Sequence, residues 1–330
     1  LNSHPRLAAL TGTLRVPVVA APMFLVSGPE LVIEACRAGI VGAFPTVNAR
    51  TVEELDAWMT RITAALAPLR GGRAAAPWAA NVITHSTNLR LEQDLELVAR
   101  HRPPIVVTAL GGPKRAVEVV HGYGGIVVAD VVTLALARKA VEAGVDGLAC
   151  VSAGAGGHTG FMSPFAFISA VRQLTDGLVI VGGGIADGHG VAGAVAAGAD
   201  LVYMGTRFIA TRESLAVTDY KQMIVDSDLD DLLVSPAITG TPASWLKPSL
   251  RRAGYDPERM PDKPERNYDS NQQGPKRWKD VWSAGQGVGA VGAIEPVAAV
   301  VDRLALEYET ALERVAGLGG ATAKTGTARR

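Results

Sequence analysis

Eight short runs of apolar, largely β-branched residues, each followed by a turn and then an Ala-rich amphipathic stretch, set the pattern of this chain. The runs are Val16–Met23, Ile40–Thr46, Trp78–Ile83, Ile105–Leu110, Gly125–Asp130, Gly147–Ala153, Leu178–Gly184 and Leu201–Thr206. Between them the periodicity predicts helices over Pro29–Ala38, Val52–Leu66, Leu89–His101, Pro113–Tyr123, Thr133–Ala143, Pro164–Leu174 and Gly190–Ala197. A strand apolar on both faces belongs in a parallel sheet covered by helices, and a repeat of roughly 20–35 residues is that of a βα unit. Eight such units point to a closed (β/α)8 barrel, the TIM-barrel architecture. An open doubly wound sheet is the alternative.

The chain has 330 residues, 48% hydrophobic and 19% charged, enough to build one large core with additions. After Thr206 the alternation stops. From Arg212 to Gln286 prolines are scattered and no clear strand is visible. The expected organisation is therefore a barrel over 1–211, a smaller and mainly helical subdomain inserted after strand eight over 212–290, a closing helix over 291–316 (near Ile294–Val315), and a frayed tail over 317–330. The inserted segment is rich in Lys247, Arg251, Arg252, Arg259, Lys263, Arg266, Lys276, Arg277 and Lys279.

Over the whole chain charge is balanced, with 32 basic and 32 acidic residues, so nothing favours nucleic acid or an anionic membrane surface as partner. Cys36 and Cys150 lie far apart in apolar segments, which suits two buried reduced thiols, and Cys150 is expected to point into the barrel. No apolar run approaches the roughly 18 residues of a membrane span, and Leu1–Arg15 lacks a signal-peptide core, so a cytoplasmic chain is expected, as a monomer or homodimer.

Some local signals are structural. Thr51 before Glu53 and Glu54 reads as a helix cap. Glu142-Ala-Gly-Val-Asp146 and Ala197-Gly-Ala-Asp200 look like one helix-to-strand turn used twice.

In a barrel the chemistry sits at the C-terminal ends of the strands, with phosphate commonly held after strands seven and eight. Those strands end in Gly182-Gly183-Gly184 and in Met204-Gly205-Thr206. Glycines admit close approach of backbone amides to a phosphate, a following helix N-terminus favours the anion, and Thr206 adds a hydroxyl. A dinucleotide fingerprint is absent: Asp187 takes the third glycine position counted from Gly182, and Thr159 takes it counted from Gly154. A mononucleotide phosphate such as that of FMN fits better.

After strand six, Ala155-Gly156-Gly157-His158 places an imidazole in a glycine-rich loop at the rim, where it would either take a proton from a substrate carbon or only bond its own loop. No second His or Cys at ligand spacing accompanies it, so no metal is expected, and no G-x-S-x-G elbow occurs. Ala21, Pro22 and Met23 end strand one and would meet a flat ring or fill core. Asn81 would bond that ring's edge. His85 either lines a substrate pocket or sits on a surface loop. Asp130, an acid in an apolar run, must bond a ribityl hydroxyl or a neighbouring loop.

Taken together, Ala21-Pro-Met23, Asn81, Ala155-Gly-Gly-His-Thr-Gly160, Gly182-Gly-Gly184, Met204-Gly-Thr206 and Trp282-Ser-Ala-Gly-Gln-Gly287 resemble the nitronate monooxygenases, formerly called 2-nitropropane dioxygenases. The resemblance runs from about Val16 to Val291 and extends to a superfamily of FMN barrels that includes enoyl reductases and NADH:quinone reductases. It implies FMN with its phosphate between Gly183–Gly184 and Gly205–Thr206, its ring near Asn81 and Met23, and Gln286 approaching from the C-terminal segment. It further implies His158 as catalytic base, a nitroalkane or nitronate as substrate, and dioxygen as electron acceptor giving a carbonyl compound and nitrite. The superfamily's other activity, with NAD(P)H as donor to a quinone or enoyl thioester, is the alternative. Two features depart from the better-studied pattern: Ala20-Ala-Pro-Met23 replaces a Gln-Gly-Gly-Met type element, and the Lys247–Lys279 stretch is long.

Overall fold

The computed structural model describes residues 12–67, 74–262 and 276–319. Its first nine strands are β1 (Val18–Ala20), β2 (Val41–Pro45), β3 (Trp78–Ile83), β4 (Ile105–Ala109), β5 (Ile126–Val131), β6 (Gly147–Val151), β7 (Gly157–His158), β8 (Leu178–Gly182) and β9 (Leu201–Met204). All but β7 form a closed parallel barrel, in which β9 returns to β1 with Val18 opposite Val202 and Ala20 opposite Met204. The eight expected strands are thus the eight staves. The expected helices surround them as α1 (Pro29–Ala38), α2 (Val52–Ala65), α3 (Leu91–His101), α4 (Lys114–Gly122), α5 (Leu134–Glu142), α6 (Pro164–Arg172) and α7 (Gly188–Ala196).

Period-two alternation divides the core. Val19, Ala43, Val107, Val128, Ile180 and Tyr203 fill the barrel, while Val18, Leu148, Val181 and Val202 face the helices. Because Ala149 faces inward, Cys150 faces outward, into the layer that holds Ala137, Ala140 and Phe167. The expectation that Cys150 points into the barrel is corrected on that parity. Burial pushes both thiols, Cys36 and Cys150, up to about 12.

The repeated turn is structural, as expected. Gly144 and Gly198 take left-handed φ values of 86° and 112°. Asp146 and Asp200 then behave alike: each carboxylate accepts from the backbone N–H of the neighbouring strand, Val127 or Val179, at 2.8 Å. Thr51 caps α2 through Glu54 N at 3.1 Å.

The segment after strand eight differs from expectation. It begins with the short α8 (Thr206–Ile209) and α9 (Thr218–Val225), but then forms two strands, β10 (Leu232–Ser235) and β11 (Ala243–Leu246), before α10 (Lys247–Arg252). These join β7 in an antiparallel sheet of order β10–β11–β7, with Leu233 opposite Trp245 and Ala243 opposite His158. The closing helix α11 spans Val297–Gly319 and packs on α7 and α1. It buries Val300, Val301 and Leu304, each worth roughly 1.5–3 kcal/mol of apolar transfer. Gly317–Gly319 complete its last turn, and the rest of the expected tail lies outside the described residues. Among the described residues no helix is long and apolar enough to cross a membrane.

Candidate active site

The loops singled out for chemistry around Met23, His85, His158, Gly183 and Gly205 all follow the C-terminal ends of barrel strands. After β1, the N–H of Ala21 donates to Met204 O at 2.9 Å, tying the first stave to the last. Met23 is fixed by two residues that sequence reasoning missed. Its N–H donates to Ser27 Oγ at 3.0 Å, and Asn48 Nδ2 donates to its carbonyl at 2.9 Å. Asn48 Oδ1 also accepts from Leu25 N, which holds Leu25 at a left-handed φ of 62°. The half-buried Ala21, Pro22 and Met23 therefore form a rigid shoulder, and a Cβ on Gly205 would lie 3.4 Å from Met23 Sδ.

The glycine loops converge around the carbonyl of Gly154, which accepts from Gly184 N at 3.1 Å and from Gln286 N at 2.8 Å. Gly183 has φ 142° and lies against Ala153 O, so close that a Cβ would fall 2.5 Å from that oxygen. The segment around Gln286 docks here: Thr206 Oγ1 accepts from Gly285 N at 2.8 Å, and Gly156 presses on Gly285. Ala155 N donates to Ser152 O at 3.3 Å, keeping the turn after β6 tight. Gly182 packs on Tyr203 Cβ, and the side chain of Met204 belongs to the outer helix layer, so Met204 contributes only its backbone to this face.

Three polar side chains sit at the top of the barrel interior. Asn81, buried, donates from Nδ2 to Val107 O at 3.2 Å, which leaves its Oδ1 available. Asp130 Oδ1 and Tyr203 Oη are both shut off from solvent without a hydrogen-bond partner among the described residues. Burial pushes the Asp130 carboxyl up to about 7, and burial followed by the charge of Asp130 raises the Tyr203 phenol. Tyr203 was not foreseen. Its signal was the inward parity it shares with Leu201 in an otherwise apolar strand.

His158 is exposed, on β7, and is held by pairing with Ala243, so it stands on a strand where a loop was expected. Neither ring nitrogen is hydrogen-bonded among the described residues. Protein walling one side of the imidazole, and then the Arg277 cation, lower its pKa below the ordinary histidine value, which favours the neutral base. His85 is exposed on the loop after β3, where its Nδ1 accepts from Thr87 N at 3.2 Å and contacts Thr87 Oγ1 at 2.8 Å. No group of three or more His, Cys, Asp or Glu side chains converges among the described residues.

The family model for nitronate monooxygenase matches residues 7–307. The chain belongs to the nitronate monooxygenase family. A nitronate monooxygenase of Paraburkholderia phytofirmans is 28% identical over 282 residues, covering 73% of this chain and 76% of its own. A (3aS,4S,5R,7aS)-5-hydroxy-7a-methyl-1-oxo-octahydro-1H-indene-4-carboxyl-CoA dehydrogenase of Rhodococcus jostii is 28% identical over 234 residues, 71% of this chain, and the match spans only 63% of that relative's length. Among solved structures, FabK from Thermotoga maritima shares the fold with a TM-score of 0.75 at 24% identity, covering 95% of this chain and 98% of its own. Membership in the nitronate monooxygenase family implies a flavin. The residues present fit one: the N–H of Gly184 is taken by Gly154 O, but those of Gly183, Gly205 and Thr206 have no backbone acceptor among the described residues and would be free for a phosphate, and the orphaned Asp130 Oδ1 and Tyr203 Oη call for a hydroxyl-bearing partner.

Proposed function

We propose that this chain is an FMN-dependent enzyme that oxidises alkyl nitronates, or the nitroalkanes from which they form, to a carbonyl compound and nitrite with dioxygen as acceptor. The observation that carries this reading is His158, an imidazole with a lowered pKa and no carboxylate partner among the described residues, presented from β7 at the same barrel face as the glycine loops. Gly183, Gly184, Gly205 and Thr206 would hold the phosphate, with Gln286 beside them. Asp130 would bond the ribityl chain, and Met23 and Asn81 would flank the ring.

When bound, a flavin supplies removal of electrons from the substrate carbon and their passage to dioxygen. The chain supplies the rest. Neutral His158 takes the proton from the α-carbon of a nitroalkane, leaving the nitronate and an imidazolium. For a nitronate that arrives already ionised, His158 has no proton to remove and serves to orient the anion. Met23, its backbone locked by Ser27 and Asn48, would give the ring a fixed apolar neighbour.

A second reading is FMN-dependent transfer from NAD(P)H to a quinone or enoyl thioester. The Rhodococcus jostii relative, named for a CoA thioester, and the basic groups Arg252, Lys276, Arg277 and Lys279 favour it. The two are separated by product analysis under air with FMN-loaded protein. Equal yields of nitrite and carbonyl from a propyl nitronate are expected. NAD(P)H consumption with a quinone and no nitrite would replace the first reading by the second.

A further inference from the structure

A base normally has a partner that sets its tautomer and aim, usually a carboxylate or carbonyl on the far ring nitrogen. His158 has none among the described residues. What touches its ring is Trp278, whose indole meets the imidazole edge-on with centroids 5.3 Å apart and planes at 67°. The same indole stacks on Trp245, with centroids 4.6 Å apart and planes at 28°. Trp245 is fully buried on β11, its Nε1 donating to Ser235 O at 3.3 Å, and β11 is the strand that pairs with β7. The indole also lies over Gly157, where a Cβ would come 3.7 Å from its ring.

The backbone at Trp278 is unusual as well. Its φ is 68°, a left-handed value rare for a bulky residue and found where the surroundings over-determine it. Those surroundings form a closed turn. Lys276 N donates to Asp280 Oδ2 at 2.8 Å, Asp280 N donates to Lys276 O at 2.8 Å, and Arg277 bridges to Val281. A turn whose own hydrogen bonds hold an aromatic residue in a disfavoured conformation delivers that ring to one place, the gap between Trp245 and His158.

We propose that Trp278 is the positioning residue for His158, its indole wedged against Trp245 so that it fixes the aim of the imidazole and excludes water from one side of it. The consequence for turnover rests on His158 being the base, as read above; the positioning does not. Of the elements packed on β7, β11 brings the neutral Ser244 and Trp245, and the 276–281 turn brings the Arg277 cation together with Trp278. Burial of the ring, to which the indole contributes, and then the Arg277 cation favour the uncharged imidazole.

The test uses FMN-loaded protein labelled at histidine, in which NMR follows the titration of His158, assigned by its loss in His158→Asn. Trp278→Gly removes the ring yet keeps a residue at ease with left-handed φ. Its expected effect is a rise of the His158 midpoint toward that of free histidine, with turnover of a neutral nitroalkane falling about 10- to 100-fold at unchanged flavin content. Trp278→Phe should restore most of both. Should Trp278→Gly not yield folded protein, Trp278→Leu, which keeps apolar volume without a ring edge, is read in the same way. A folded variant whose His158 midpoint and shifts match the parent overturns the proposal. Full turnover in His158→Asn would instead remove the base reading and leave the titration to decide Trp278 alone.

Discussion

His158 lies in antiparallel register opposite Ala243, so the candidate base is carried by a strand of a small sheet and not by a free glycine loop. Its reach into the site is therefore set by β11, which is itself anchored by the buried Trp245. The base and the inserted segment form one mechanical unit.

Replacement of the imidazole should separate proton removal from oxidation. His158→Asn is expected to retain FMN and to lose about 10²- to 10⁴-fold in kcat/KM on a neutral nitroalkane, with a far smaller loss on the pre-formed nitronate. Steady-state assays on both substrate forms check this. Equal losses would mean that His158 is not the base.

The lowered pKa of His158 has a definite sign. The neutral form persists to more acid pH than in a free histidine, so the acid limb of kcat/KM for a neutral nitroalkane should have its midpoint below 6.5. Removing the Arg277 cation in Arg277→Gln should move that midpoint upward. A pH–rate profile whose midpoint is unmoved would show that Arg277 does not act on the base.

Asp130 bears on stability in the opposite sense from a paired carboxylate. Its folded pKa of about 7 exceeds the ordinary 3.8, so between those values the unfolded chain releases its proton first and apoprotein stability falls as pH rises. Asp130→Asn is expected to match the parent near pH 4 and to exceed it by roughly 1–3 kcal/mol at pH 8. Denaturant unfolding of the apoprotein at the two pH values reads this, and a pH-independent difference would contradict it. The same variant should bind FMN more weakly if Asp130 meets the ribityl chain.

Thr206→Val tests the phosphate loop. Gly285 N–H loses its acceptor and the phosphate a hydroxyl donor, so the FMN dissociation constant should rise about tenfold. Flavin fluorescence titration measures it, and unchanged affinity would remove Thr206 from the site.

How much of this was legible in sequence depended on whether the signal was local. The eight staves announced themselves because each parallel strand is apolar on both faces, and the caps at Thr51 and the turns at Asp146 and Asp200 are written within a few residues. Leu232–Ser235 and Ala243–Leu246 were missed because each is four residues long and one of their partners is the two-residue Gly157–His158, distant in the chain. The glycine loops of the site were readable for the same reason as the staves. The contacts that make them a site were not: Asn48 holding Met23, Tyr203 rising beside Asp130, and Trp278 against His158 all arise from tertiary closure. Cys150 was misplaced through parity, since one residue along a strand exchanges the barrel interior for the helix layer.

The most direct measurement is the visible spectrum of the FMN-loaded protein on anaerobic mixing with a propyl nitronate. Loss or reddening of the oxidised flavin bands, followed by their return with nitrite release when air is admitted, is the expected result. An unchanged spectrum with nitronate, beside rapid bleaching by NADH or NADPH, would contradict it.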